Sequence, residues 1–389
     1  MREYWKYLPL GEICDFISGF TPSKQELNEK AGIPYFKVSD MNRDTNSVYM
    51  IETELFVVHP RKTIPANSII FPKNGGAIFT GKKRILKYDS IIDLNTEALN
   101  IKDKNVNLQF LYKFLLGVDF GQFDNGGGLP SINIKKMKDF IVPVPPLTEQ
   151  ERIVALLDDQ FAKIDALKAN ADQQLKSAKD LFQSALKEYL TPKDGWEMKS
   201  LEELATDMYR GSGITREQIR ENGISCVRYG EIYTTYNYWF DKCASHTDES
   251  LIKSPKFFEH GDILFTITGE SVEDIAKSVA YLGDEKCLAG GDIVVMKHKQ
   301  NAKYLSYALS TPDAIRQKGL GKTKLKVVHS NVPSIKAIVV PIPDLEIQQQ
   351  IADILDTLSD KVARLQANYD QTITLCNDLK QSLLKSIFA

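Results

Sequence analysis

Phe140-Ile-Val-Pro-Val-Pro-Pro-Leu-Thr-Glu-Gln150 divides two kinds of sequence. Before it, apolar residues come in short β-rich runs; after it, they recur every three or four residues, the spacing of one helix face. The same switch returns at Ile338-Val-Val-Pro-Ile-Pro-Asp-Leu-Glu-Ile-Gln348, 198 residues later. Working outward, Trp5, Leu10, Glu12 and Ile13 match Trp196, Leu201, Glu203 and Leu204, and Gly32-Ile-Pro-Tyr-Phe-Lys37 matches Gly223-Ile-Ser-Cys-Val-Arg228, both at an offset of 191. Asn67-Ser-Ile-Ile-Phe71 matches Gly261-Asp-Ile-Leu-Phe265, and Phe110-Leu111 matches Tyr304-Leu305, at 194. Asn133 and the Pro143/Pro145 pair match Asn331 and Pro341/Pro343 at 198. The chain is one module written twice. The second copy gains about three residues between Met41 and Phe71 and about four between Leu115 and Asn133, insertions expected in surface loops. A period this long excludes a solenoid.

Each module starts with mixed secondary structure. Ser68–Phe71, Ile263–Ile267, Ile293–Met296 and Phe140–Val144 read as strands: short, β-rich and bounded by Gly, Pro, Asn or Asp. Residues 107–116 and 301–309 read as helices. An α/β domain of about 145 residues is expected, with glycine-rich loops at 73–81, 125–128, 211–213, 269 and 319–321. After each proline block the periodicity is helical. Ile153, Leu157, Ile164, Leu167, Ala171, Ala178, Leu181 and Ala185 form one heptad-like seam. Ile351, Leu355, Leu358, Val362, Leu365, Tyr369, Cys376, Leu379 and Leu383 form the other. Leu156, Leu175, Phe182, Leu186 and Tyr189 widen the first stripe. Neither Pro nor Gly interrupts 147–190 or 344–389, so each helix can run on the order of 60 Å. Two such helices in one chain can pair antiparallel, which would relate the two domains by a pseudo-twofold and hold them at a fixed distance.

Composition narrows the function. A chain of 389 residues exceeds one hydrophobic core. There is no run of 18 apolar residues and no apolar core of a signal peptide after Met1, so a cytoplasmic protein without a membrane span is expected. Five scattered cysteines without a Cys-x-x-Cys pair argue against a disulfide framework and a zinc site. Net charge is only −2, so any surface for a polyanion must be local. Residues 56–88 contain no acid but carry Arg61, Lys62, Lys73, Lys82, Lys83, Arg84 and Lys87. Residues 314–343 again contain no acid and carry Arg316, Lys318, Lys322, Lys324, Lys326 and Lys336. Two such stretches in glycine-rich settings point to phosphate contacts.

Signals for catalysis are missing. Gly319-Leu-Gly-Lys-Thr323 has the end of a phosphate-binding loop, but Arg316 stands where its first glycine belongs. The histidines have no metal-ligand spacing, and Gly-x-Ser-x-Gly is absent. No Asn-Pro-Pro-aromatic or Asp-Pro-Pro-aromatic tetrad is present, and no Gly-x-Gly-x-x-Gly follows a strand. Asp262, Glu270 and Asp292 fit surface or capping roles better than a nuclease centre. No cofactor is expected.

The duplicated α/β domain, the Val-Pro-x-Pro-x-Leu-x-x-Gln block opening a long helix and the Trp-x-x-x-x-Leu-x-Glu-[Ile/Leu] start of each copy together resemble the specificity subunit of type I restriction-modification systems. The resemblance covers the whole chain. Asp344 in place of Pro146 and Ile347 in place of Glu149 depart from the block in the second copy. The resemblance implies a first target recognition domain at 1–146, a central spacer helix at 147–195, a second target recognition domain at 196–343 and a terminal spacer helix at 344–389. It implies a non-catalytic subunit that reads a bipartite, asymmetric double-stranded DNA target. Two methylation subunits would dock on the helices and methylate adenine, and restriction subunits would join through the assembled complex and cleave.

In that role basic side chains fix register on phosphates and polar loop side chains read base edges. The candidates are Lys73, Asn74, Lys82, Lys83 and Arg84 in the first domain, and Tyr209, Arg210, Lys322, Lys324 and Lys326 in the second. Tyr209 also has a core reading, and 82–84 a reading as an exposed turn. Leu157, Ile164, Leu167, Leu355, Val362 and Leu365 are the candidates for the helix–helix and partner interface. Two other classes stay open: a scaffold that assembles helical partners without binding DNA, and an enzyme with an unrecognised site.

Overall fold

The computed structural model describes residues 4–28, 30–269, 275–320 and 328–388. They divide into two compact units, 1–171 with 370–389, and 172–369.

The first unit is organised around a five-stranded sheet in the order Cys14–Ser18, Thr96–Ile101, Ile69–Pro72, Arg84–Leu86, Tyr49–Met50. Its pairs are antiparallel except the last, which is parallel. The second unit has the same order and the same senses: Ala205–Arg210, Ile293–His298, Ile263–Thr266, Ser278–Tyr281, Trp239–Phe240. The strands expected at 68–71, 263–267, 293–296 and 140–144 are present as Ile69–Pro72, Ile263–Thr266, Ile293–His298 and Ile141–Val144. Apolar side chains fill the central strands on both faces, so Ile69, Ile70, Phe71, Ile263, Leu264 and Phe265 are all fully buried. A second small sheet completes each unit, four-stranded in the first and five-stranded in the second. Part of the four-residue gain in the second copy is a helix, Pro312–Lys318, where the first copy has the 3-10 turn Phe120–Phe123.

The repeated motifs are the joints of this frame. In each copy the opening segment pairs antiparallel with the proline block, Tyr7 opposite Pro143 and Met198 opposite Pro341. A two-stranded ribbon can carry prolines because it has outer edges on which a missing N–H leaves no ladder bond unmade. The Leu-x-Glu-[Ile/Leu] segments are one-turn helices that bury Leu10, Ile13, Leu201 and Leu204, and the Leu10 and Leu201 amides donate to the Phe140 and Ile338 carbonyls at 2.8 Å.

The glutamine that closes each block locks the long helix to its domain. Gln150 is fully buried, yet every hydrogen-bonding group of its amide is used. Its Oε1 accepts from the Asn107 amide at 2.7 Å, and its Nε2 donates to the carbonyls of Asn105 (2.7 Å) and Pro145 (2.8 Å). Gln348 repeats this with the Asn301 amide (2.9 Å), the Pro343 carbonyl (2.8 Å) and Gln300 Oε1 (2.8 Å). Asn107 and Asn301 in turn cap the helices Leu108–Leu116 and Ala302–Ala308. A buried amide is tolerated only when satisfied, so these contacts fix the direction in which each helix leaves.

The long helices are Leu147–Leu190 and Leu345–Phe388, 44 residues each. Within the first unit they run antiparallel, since Asp165 meets Lys380 and Lys168 meets Asn377. Ile153 and Leu157 pack there with Phe110 and Leu384. In the second unit Phe182, Ala185, Leu186 and Leu190 share a core with Ile351, Ala352 and Leu355. Leu157 and Leu355 are fully buried and Ile164 nearly so, while Val362 and Leu365 are half-buried in the seam.

The phase of the seam differs from the expected one at several positions. Leu167, Leu181 and Leu379 are 56%, 62% and 47% exposed, and the inward positions are taken by Lys168, Phe182 and Lys380. The lysines fill the seam with their aliphatic stems and bring the ammonium to Asn377 and to Asp165. A pattern of apolar residues alone selects the neighbouring leucine, which here faces outward.

Candidate nucleic-acid interface

Antiparallel pairing gathers loops from distant stretches at one end of each main sheet. In the first unit Glu97 lies opposite both Ser18 and Phe71, Thr96 opposite Pro72, and Ile70 opposite Arg84. The ends of Cys14–Ser18 and Ile69–Pro72 and the starts of Arg84–Leu86 and Thr96–Ile101 therefore share a rim. The loop Lys73–Lys83 projects from it. The glycine-rich segment 125–131 joins it, because Asn74 bridges Ser131 and the Gly75 amide donates to the Pro130 carbonyl at 2.7 Å. In the second unit Arg210 lies opposite Val294, Thr266 opposite Ile293 and Phe265 opposite Ser278, which makes the equivalent rim. Thr268-Gly269 pairs there with Val328-His329.

Two glycines let the rims close. Added Cβ atoms on Gly19 and Gly211 would stand 2.1 Å and 2.3 Å from the carbonyl oxygens of Asp93 and Gly290. Only glycine admits that approach, and it occurs at matching places in the two copies.

Lys73 and Asn74 lie on the first rim. Glu97 Oε2 accepts from Lys73 Nζ at 2.8 Å and from Ser18 Oγ at 2.7 Å, so the Lys73 charge is already paired. Asn74 Nδ2 reaches Asn95 Oδ1 at 3.3 Å. Lys82 is half-buried with its ammonium on Asn42 Oδ1. Lys83 instead lies inside the domain, 1% exposed. Its ammonium donates to the Val118 and Gly81 carbonyls at 2.8 and 3.3 Å and stands 4.1 Å from the centre of the Phe120 ring. Burial pushes its pKa down to about 8. Arg84 turns inward too, donating to the carbonyls of Lys83 (2.8 Å) and Met41 (3.0 Å). The basic run 82–84 thus presents one of its three cations at the surface.

On the second rim, Tyr209 is half-buried with its hydroxyl on the Phe257 carbonyl and its ring against the core that contains Phe258 and Val295. Arg210 is exposed; its Nε donates to the Gly291 carbonyl and its Nη2 to Asp292 Oδ1 at 2.7 Å. Lys322, Lys324 and Lys326 lie outside the described residues.

The structure adds residues that linear reading passes over. A cleft of about 650 Å³ on the second rim is lined by Arg210, Arg216 and Arg228, with Glu231 and Asp292 as its acids and Gly213, Gly230, Gly290 and Gly291 in its walls. The Glu231 carboxylate accepts from the Arg228 amide at 3.0 Å at the start of the helix Tyr229–Thr234 and meets the Arg228 guanidinium at 3.3 Å; in the first unit Asp40 Oδ2 accepts from the Lys37 amide at 2.8 Å at the start of the turn Val38–Asn42. The Lys37–Arg228 match in the repeat is a usable signal for this position. Arg216 and Asp292 have none, because they meet Arg210 only through the fold. Asp292, by sequence a surface or capping residue, orients Arg210. Among the described residues no group of three or more His, Cys, Asp and Glu side chains could hold a metal ion, and no helix is long and apolar enough to cross a membrane.

Relatives place this architecture. The chain is 23% identical over 391 residues to the MjaVIII specificity subunit of Methanocaldococcus jannaschii, covering 92% of this chain and 87% of that protein. It is 31% identical over 196 residues to the EcoR124I/EcoR124II specificity subunit of Escherichia coli, covering 48% and 46%. Its fold matches, with a TM-score of 0.75 and 18% identity, a chain solved in a study of complex assembly and conformational transition in the type I restriction-modification system; 99% of this chain and 98% of that one are covered. The HsdS subunit of Thermoanaerobacter tengcongensis matches with a TM-score of 0.54 and 18% identity over 100% and 97%. Residues 2–177 and 193–375 match the model of the type I restriction-modification DNA specificity domain, and with two copies of that domain over most of its length the chain belongs to the type I restriction-modification specificity family.

Proposed function

We propose that this chain reads a bipartite, asymmetric DNA target, one half through residues 1–146 and the other through 196–343. The observation that carries this reading is one sheet frame built twice with different side chains on its rim. Where the first copy has Ser18, Lys73 and Glu97, the second has Arg210 with Asp292. A protein that uses two equal frames to present unequal polar groups is suited to two unlike half-sites, because donors and acceptors in the major groove distinguish every base pair. Lys73, Asn74, Lys82, Arg210 and, from sequence, Lys322, Lys324 and Lys326 are the proposed contacts. Lys83, Arg84 and Tyr209 support the rim from within.

The helices at 147–195 and 344–389 are the proposed seat of two methylation subunits, with restriction subunits joining through the assembled complex. The outward leucines Leu167, Leu181, Leu375 and Leu379 offer apolar surface for such partners. Catalysis then belongs to the partners: this chain selects the site at which adenine is methylated and the DNA is cut.

Exchange of residues 196–343 for the corresponding domain of another family member tests the reading. Modified adenines are mapped by long-read sequencing in a host that carries the chain and its partners. One half of the target should change and the other should stay. A single palindromic, uninterrupted target, or an unchanged target after the exchange, overturns the proposal and favours a scaffold that does not read DNA.

A further inference from the structure

Arg210 is held differently from an ordinary phosphate-binding cation. It ends the strand Ala205–Arg210 at the rim, and its side chain is 59% exposed. Its Nε is spent on the Gly291 carbonyl, and one Nη2 proton on Asp292 Oδ1. Two of the five guanidinium N–H groups are thus used on one edge, and three remain for a ligand. The paired carboxylate cancels the long-range attraction that makes a lysine or arginine a good phosphate anchor. What is left is a planar, rigid donor fork, which suits a partner with two acceptors in one plane.

The cleft around Arg210 is kept clear. Gly213 and Gly230 both line it, neither has positive φ, and an added Cβ on either would meet nothing within 4 Å. Gly230 lies inside the helix Tyr229–Thr234, where glycine is a weaker helix former than alanine. Neither backbone conformation nor packing requires these glycines, so the space they leave is available to a bound molecule. Arg216, on the same wall and beside Glu217, is the group placed to meet a phosphate.

The first copy lacks this device. Ser18 occupies the position of Arg210, Asn95 that of Asp292, and Asp93-Leu94 that of Gly290-Gly291. Asp93 there accepts from Thr96 Oγ1 at 2.6 Å.

We propose that Arg210, braced by Asp292 and the Gly291 carbonyl, reads one guanine in the major groove through its N7 and O6, and so sets one base of the half-site assigned to the second domain. The inference rests on the DNA-reading role proposed above. Arg216 serves as the neighbouring phosphate contact.

The test uses the full chain assembled with its methylation subunits and duplexes in which each target position is varied singly. Wild-type binding and the map of modified adenines first establish that DNA is read at all; failure there belongs to the DNA-reading proposal and not to Arg210. Arg210→Ala should then remove the preference for guanine at one position of one half-site, a loss of roughly tenfold to a hundredfold, with the other positions and the salt dependence unchanged. Arg210→Gln, which keeps a planar side chain with donor and acceptor, should shift that position towards adenine. Asp292→Asn should weaken the same preference without moving it. Equal thermal melting of the variants and the wild type shows that each is folded, and the Gln variant decides if the Ala variant is not. Uniform loss on all duplexes with a lower salt slope would make Arg210 a phosphate contact. Unchanged discrimination, or a second half-site without guanine on either strand, would also overturn the proposal.

Discussion

The two domains share one frame of central strands and differ most along its rim. The five-stranded sheet keeps its order and its senses in both, and a satisfied glutamine joins each long helix to its domain. On the rim the copies part: Ser18, Lys73 and Glu97 form a neutralised cluster in the first, while Arg210 is braced beside an open arginine cleft in the second. Buried positions are coupled to many neighbours, and any change there is felt as strain or as a cavity. Rim positions are coupled to few, so they can diverge and carry unlike recognition on like frames.

A shared frame predicts equal costs at equivalent core positions. Leu157→Ala and Leu355→Ala should each destabilise by about 2–5 kcal/mol in urea unfolding, because both side chains are fully buried between helix and domain. Leu167→Ala should change stability by less than about 0.5 kcal/mol, since that leucine faces outward. A large cost at Leu167 in the isolated chain would break the seam assignment.

The glutamine joints sharpen the comparison. Gln150→Ala strands the Asn107 amide and two backbone carbonyls, and stability should fall by about 1–3 kcal/mol. Gln348→Ala should cost less, because one of its three partners is the Gln300 side chain, which can turn to water. Equal falls in melting temperature for the two variants would mean that Gln300 is as fixed as a backbone carbonyl.

How far the molecule is legible in its sequence follows from the same division. The duplication, the strands and the long helices are readable, because repeats and hydrophobic period record burial directly. Seam phase is misread at Leu167 and Leu379 because lysines fill interior positions with their stems. Lys83 and Arg84 read as a surface run because charge along a chain does not say which way each side chain turns. Arg216, Arg228 and Asp292 come together from three separate loops, and no local pattern records that meeting.

Buried cations separate the copies by pH. Lys318 of the second domain is buried with its ammonium on Ser278 Oγ at 3.0 Å, and burial pushes its pKa down to about 7; that of Lys83 in the first falls to about 8. In the unfolded chain both stay near 10.5. Above the folded pKa the unfolded chain binds more protons than the folded one, so stability rises with pH, from about 7 for Lys318 and from about 8 for Lys83, up to about 10.5. Thermal melting of Lys318→Met should therefore lose pH dependence between 7 and 8, and that of Lys83→Met only above 8. The reverse order would show that the Lys83 site is the drier of the two.

The smallest effects should lie on the rim and leave stability untouched. The first domain's segment Asn125–Gly128 has no cation, whereas the second domain's counterpart carries Lys322, Lys324 and Lys326. Removing one phosphate-binding cation lowers the slope of log affinity against log salt by about one unit, whatever the DNA sequence. Lys322→Ala with Lys324→Ala should thus reduce the slope by about two units and weaken cognate and non-cognate duplexes alike. Lys82→Ala in the first domain should take away no more than about one, because Lys82 is the cation of its basic run that reaches the surface. The asymmetry in base reading assigned to Arg210 would then run alongside an asymmetry in phosphate binding, both weighted to the second domain. A fall of about two units from Lys82→Ala alone would show that the first rim carries more of the phosphate grip than the one surface cation of its 82–84 run implies. An altered base preference in the Lys322/Lys324 variant would show that the second loop reads bases as well as holding the backbone.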